Sequence, residues 1–194
     1  MKTYKKQKNI VRRTREDIIE VASHLFSEYT YLGASMSDIA KKLNITKAAL
    51  YYHFKSKAEI YKKVLDRIFS ELKSSIAEAS SERTIDKKLY RLIKNYLDFG
   101  LKEKNLIRAL MLKLSPGSPE INKHIMHLRE NIVNLIQPLV REVILNKKIT
   151  GESDSYLITS LLAGMMDGLL LEYSFLNKKI DSEKVSNQIV SILF

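Results

Sequence analysis

Apolar residues recur at three- and four-residue intervals along almost all of this 194-residue chain, and nowhere do they alternate as in a half-buried strand. Spacing of that kind leaves a stack of helices as the way to bury the apolar stripes. Only 6 glycines and 3 prolines interrupt it, and at 45% hydrophobic the chain can enclose a core without a metal or disulfide staple. The expectation is an all-α fold of about nine helices.

Capping signals divide the pattern. The first helix is expected over 14–29, with Ile18, Ala22, Leu25, Phe26 and Tyr29 on one face. Ser35 opens a second, with Asp38 at capping-box spacing, and it ends near Leu43. Asn44, which tolerates left-handed backbone, then makes a tight turn with Ile45, and Thr46 caps a short third helix over 47–54. Three short helices with such a turn between the last two read as a helix-turn-helix. A second capping box, Ser56 to Glu59, opens a long fourth helix through Ile60, Val64, Leu65, Ile68, Leu72 and Ile76. Further helices are expected over 86–102, 105–114, 118–148, 154–177 and 182–193, the third of these opened by Ser118-Pro119-Glu120, kinked at Pro138 and ended by Gly151. The domain boundaries follow: a basic arm over 1–11, a helix-turn-helix domain over 12–58, and a helical domain over 59–194.

Several function classes drop out. The absence of cysteine excludes a disulfide framework, thiolate metal sites and a cysteine nucleophile. The first fifteen residues are basic without an apolar segment behind them, so they do not form a secretory signal. The most apolar run, 157–171, is short for a bilayer and carries Asp167, so no membrane partner and a cytoplasmic location are expected. No nucleophile elbow, phosphate loop or metal-ligand cluster marks an enzyme or calls for a cofactor. His124 and His127 stand three apart on one helix but lack a second ligand pair, so no metal is expected.

Charge favours nucleic acid. Of the net charge of +11, residues 1–65 carry 14 Lys and Arg against 6 Asp and Glu, an excess that draws phosphate backbones. In the third helix Leu50 and Phe54 point inward with Ile45, leaving Lys47, Ala48, Tyr51 and Tyr52 outward with Thr46 and His53 near the ends. Tyrosine hydroxyls can donate to phosphate while their rings pack on sugar or a thymine methyl. Lys57, in the first turn of the fourth helix, would add its charge to outward backbone N–H groups. Farther on, Ser160, Gly164 and Gly168 form a small-residue stripe on a helix apolar around most of its circumference, and Val185, Ile189 and Ile192 gather on the last helix. So apolar a pair is read as the interface of a homodimer.

The run over 38–61, DIAKKLNITKAALYYHFKSKAEIY, resembles the helix-turn-helix signature of the TetR family of regulators. Ile39-Ala40, Thr46-Lys47, Leu50-Tyr51, His53-Phe54, Ser56-Lys57 and Ile60 fall at the family's spacing, as do Ala22, Phe26 and Ser35. The resemblance covers about 12–65 and implies a dimer whose third helices enter successive major grooves of a palindromic operator. It also implies repression until a small molecule binds the C-terminal domain and moves the two reading heads apart through the fourth helix. Carried over by position, Tyr51, His53 and Lys57 would contact phosphate, and Lys47 and Tyr52 could reach bases, with Thr46 also among the contacts. Thr30 and Asn44 stand where the family usually has glycine, Ala48 where a small residue is common, and Ala49 where a polar reader is frequent, so readout could lean on DNA shape. The arm residues Lys5, Lys6, Lys8, Arg12, Arg13 and Arg15 lie beyond or at the edge of the shared region and are expected to add phosphate or minor-groove contacts. The family's effector site, between the fourth helix and the dimerisation pair, makes Tyr90, Tyr96, Phe99, Met111, Met126, His127, Met165, Met166 and Tyr173 lining candidates for a hydrophobic or amphipathic effector. Asp167, inside an apolar helix, must find a partner. The rival reading is a DNA-organising protein without operator preference. The small charge excess of 66–194, 19 basic against 16 acidic residues, speaks against it.

Overall fold

The computed structural model describes residues 2–105, 107, 118–146, 154–176 and 178–193, with side chains from Arg15 to Ile192. Among them are eight helices and no strand: α1 (Lys2–Gly33), α2 (Met36–Leu43), α3 (Lys47–His53), α4 (Lys57–Ala79), α5 (Ile85–Lys102), α6 (Pro119–Asn146), α7 (Ser155–Leu176) and α8 (Ser182–Leu193). Most of the expected helix over 105–114, with Met111, lies outside the described residues, as does Gly151. Pro138 sits at an exposed position inside α6. None of the described helices is long and apolar enough to cross a membrane. The chain divides into two compact units, Met1–Ile68 with Ala109–His124, and Phe69–Arg108 with Ile125–Phe194.

In the first unit, Ile18, Ala22 and Phe26 of α1, Ile39 of α2, Leu50 of α3, Phe54, and Ile60, Tyr61, Val64 and Leu65 of α4 are each at most 1% exposed. A helix of 7 residues such as α3 does not hold together alone. Full burial of an aliphatic or aromatic side chain contributes about 1.5–3 kcal/mol, so Leu50 and Phe54 pin α3 to its neighbours. The capping box at α2 forms: Ser35 Oγ accepts from the Asp38 N–H at 3.2 Å, and the Ser35 N–H donates to the Asp38 carboxylate at 2.9 Å. Asn44 takes the left-handed conformation, φ 55° and ψ 42°, and the N–H of Ile45 reaches back to the Ala40 carbonyl at 3.0 Å. That turn aims α3.

The end of α1 departs from expectation. At Thr30 the backbone leaves helical geometry, with φ 61° and ψ 176°. Tyr29, just before the kink, is 51% exposed, and Tyr31, just after it, joins the aromatic cluster, 4.8 Å from the Tyr61 ring and 6.0 Å from Phe26.

The second unit is built around the apolar face of α5, which packs against α8 and α7. Leu89, Leu92, Ile93 and Leu97 of α5, Ile136 of α6 and Met166 of α7 are at most 1% exposed. Gly100 lets α7 approach: a Cβ built there would stand 2.2 Å from a terminal methyl of Leu170.

Candidate nucleic-acid interface

With Leu50 and Phe54 committed to the core, the remaining face of α3 is exposed by default. Tyr52 is 81% and Tyr51 51% exposed. Thr46, Lys47, Ala48 and Ala49 are exposed and His53 is half-buried. Thr46 caps the helix by accepting from the Ala49 N–H at 3.1 Å, and the rings of Tyr52 and His53 meet edge to face at 5.2 Å. Two phenols, an ammonium and an imidazole thus share one short convex surface whose centre carries only methyl groups. Such a face can approach a duplex closely and donate hydrogen bonds to its phosphates.

Lys57 and Arg15 are placed differently from the residues of that surface. The Lys57 ammonium donates to the carbonyls of Tyr31 at 2.7 Å and Ala34 at 2.9 Å and lies 4.3 Å from the Tyr31 ring centroid. Burial pushes its pKa down. An ammonium has three protons, so one remains for a phosphate, and the main work of the side chain is to tie the α1–α2 link to the start of α4. The Arg15 guanidinium stacks 4.3 Å from the Phe54 ring centroid and pairs with Glu59 at 3.5 Å. Glu59 also accepts from the Lys55 N–H at 2.7 Å, while its own N–H donates to Ser56 Oγ. Together these contacts fasten α1 to the α3–α4 corner. The side chain of Arg13, like the rest of the arm, lies outside the described side chains.

The first turns of α6 belong to the same unit. Lys62 pairs with Glu120, and Asp66 meets the His124 ring nitrogen at 2.7 Å, a two-rung ladder between α4 and α6. His124 is therefore engaged with α4, whereas His127 is exposed beside Asn131.

The effector candidates of the second unit are dispersed. Tyr96, Phe99 and Met166 are buried, Tyr90 and Tyr173 half-buried, and Met126 and Met165 exposed at 71% and 39%. Tyr90 lines an open groove of mixed charge with Lys87, Arg91, Glu82 and Glu183. The Tyr96 hydroxyl donates to Asp167 at 2.6 Å, and Arg129, which sequence reasoning did not single out, pairs with the other carboxylate oxygen. Burial, together with the neighbouring carboxylate, pushes the Tyr96 phenol well above its ordinary value. On α7, Gly164 and Gly168 face open space, with Ser160 half-buried on the same helix. Leu157, Leu161 and Met165 are exposed beside them, as is Ile192 at 81% on α8. Val185 is half-buried, and Ile189, 6% exposed, faces the core of its own unit.

Residues 18–64 match the bacterial regulatory proteins of the tetR family, and residues 61–194 match the C-terminal region of YsiA-like proteins. The chain belongs to the TetR family. Among curated relatives, the negative transcriptional regulator IcaR of the biofilm operon icaADBC from Staphylococcus epidermidis is 31% identical over 118 residues, 61% of this chain and 62% of that protein. IcaR from Staphylococcus aureus is 36% identical over 104 residues, 53% of this chain and 55% of its own. The chain thus spans less than two thirds of the length of these relatives. Solved structures agree over more of it. The fatty acid degradation regulator FadR from Bacillus halodurans has a TM-score of 0.80 at 19% identity, covering 92% of this chain and 93% of that one. The regulator FadR from Bacillus subtilis, solved with stearoyl-CoA, has a TM-score of 0.79 at 21% identity over 92% and 96%. In this TetR-family chain the outward face of α3 falls inside the matched region, and the Tyr96–Asp167–Arg129 cluster falls in the YsiA-like part.

Proposed function

We propose that this chain is a homodimeric transcriptional regulator, working in the cytoplasm as a repressor, that reads a palindromic operator with the exposed face of α3. Residues 12–58 form the reading head and 59–194 the effector-binding and dimerisation part. The observation that carries the reading is the division of α3 itself: Leu50 fully buried, and Tyr51, Tyr52 and Lys47 displayed around Ala48 and Ala49. A solvated surface has no need of two large aromatic side chains so exposed, whereas a duplex does. Arg15 serves the interface chiefly by fastening α1 to the α3–α4 corner, and Lys57 by tying the α1–α2 link to the start of α4. Pairing through α7 and α8 accounts for the exposed Leu157, Leu161, Met165 and Ile192 around two open glycines.

Operator affinity is set by an effector bound in the second unit, a molecule with a long aliphatic chain. The largely apolar interior of that unit suits such a ligand, and the stearoyl-CoA complex of Bacillus subtilis FadR supports the class. The test is selection of random duplex DNA by the purified protein, with sequencing and the mass of the complex. A recovered palindrome bound by one dimer is the expected result. Recovery without consensus would overturn the reading in favour of sequence-independent DNA organisation.

A further inference from the structure

Among the described residues the second unit buries one charged side chain, Asp167 of α7, 8% exposed. The other buried polar groups there are satisfied locally: Thr159 and Ser186 donate to carbonyls one turn back on their own helices. Asp167 instead joins three helices, accepting from Tyr96 of α5 through Oδ1 and pairing with Arg129 of α6 through Oδ2. Stability does not single out this arrangement, because the cost of desolvating the Asp167 carboxylate offsets much of its attraction to a partner that is itself half in solvent. A phenol pushed up by burial and by an adjacent carboxylate, as Tyr96 is, beside a specific arginine partner is instead a mark of ligand sites.

The three members differ in access. Tyr96 and Asp167 are buried, but the Arg129 side chain is 53% exposed. A guanidinium carries five N–H donors in a rigid fork suited to carboxylate and phosphate, and Asp167 occupies only one edge. Met126, one turn earlier on α6, is 71% exposed and offers polarisable apolar surface beside the charge.

We infer that Arg129 is the seat of the effector's anionic head, a carboxylate or phosphate, with Asp167 and Tyr96 positioning the guanidinium and the aliphatic chain lying against apolar surface of the second unit. The inference rests on the reading that this unit binds an aliphatic effector, and supplies the group that selects charged amphiphiles over neutral ones. An anion on the free edge shares the guanidinium with Asp167, so the pair need not break on binding.

The test is calorimetric titration of the full-length protein with stearoyl-CoA and with stearate, each below its micelle concentration. Wild type is compared with Arg129→Lys and with the double variant Arg129→Met/Asp167→Leu, which removes the charges together. Thermal melts and operator binding are followed in parallel. The double variant should melt below wild type, because the buried Tyr96 hydroxyl loses its acceptor, yet once folded bind operator equally well and lose at least tenfold in affinity for the amphiphile. Arg129→Lys keeps the ion pair but not the fork and should lose several-fold. Tighter binding of stearoyl-CoA assigns a phosphate head, and tighter binding of stearate a carboxylate. If the double variant does not fold, Arg129→Lys decides, and unchanged affinity there overturns the assignment. Undiminished binding by a folded double variant, or binding of neither probe by wild type, also overturns it. Operator selection is read without amphiphile, so loss of this seat and loss of the DNA-reading proposal are separate outcomes.

Discussion

Replacing Thr30 with glycine should make the protein more stable. At φ 61° and ψ 176° the backbone occupies a region that is essentially reserved for glycine. Holding a residue with a Cβ there costs about 1–3 kcal/mol. Glycine gives back about 0.5–1 kcal/mol through the greater freedom of its unfolded chain. Thr30 is only half-buried, so little packing disappears with the side chain, and the bond its carbonyl accepts from the Ala34 N–H at 3.3 Å is kept. The balance is a gain centred on about 1 kcal/mol, or roughly 2–4 °C in Tm for a chain of this size. Because the proposed dimer would melt at a temperature that depends on concentration, wild type, Thr30→Gly and Thr30→Ala are scanned calorimetrically at one protein concentration. Alanine retains the Cβ and should recover little of the gain. A Thr30→Gly protein no more stable than wild type, or an alanine variant equal to it, would refute the argument that the Cβ is strained at this kink.

Other substitutions probe the remaining features. Gly100→Ala drives a Cβ to 2.2 Å from the buried Leu170 side chain and should cost about 1–3 kcal/mol by urea denaturation, with operator binding retained once folded; an unaltered midpoint would mean that Leu170 rotates away freely. Asp38 is held below its ordinary pKa of 3.8, chiefly by the Ser35 hydroxyl. Its contribution is therefore full above pH 3.8 and lost as the pH falls through the lower folded value. Asp38→Asn should consequently be less stable than wild type at neutral pH, with the gap closing on acidification below that value. Removing residues 1–10 takes away Lys2, Lys5, Lys6 and Lys8, and the salt dependence of operator binding should flatten by about 0.9 for each phosphate that these lysines neutralise. An unchanged slope would show that the basic segment does not touch the duplex.

What could be read from the sequence was what local chemistry decides. Ser35, Asp38, Asn44 and Thr46 act within four residues of themselves, so the α2–α3 corner was legible together with the inward Leu50 and Phe54 and the outward tyrosines. Tyr29 was misplaced because periodicity assumes an unbroken helix, and beyond the non-helical Thr30 it is the half-buried Tyr31 that joins the aromatic cluster. The presence of Thr30 where the family usually has glycine was the available signal of that break. Lys57 and Arg15 look like phosphate ligands in one dimension, since a basic residue near a DNA-reading helix has the right charge. Their packing on Tyr31 and Phe54 depends on residues 26 and 39 positions away, beyond any local pattern. Asp167 announced that it needed a partner, but an arginine on another helix carries no mark of which acid it serves. Burial was thus predictable from composition along each helix, whereas the pairing of long, charged side chains had to await the fold.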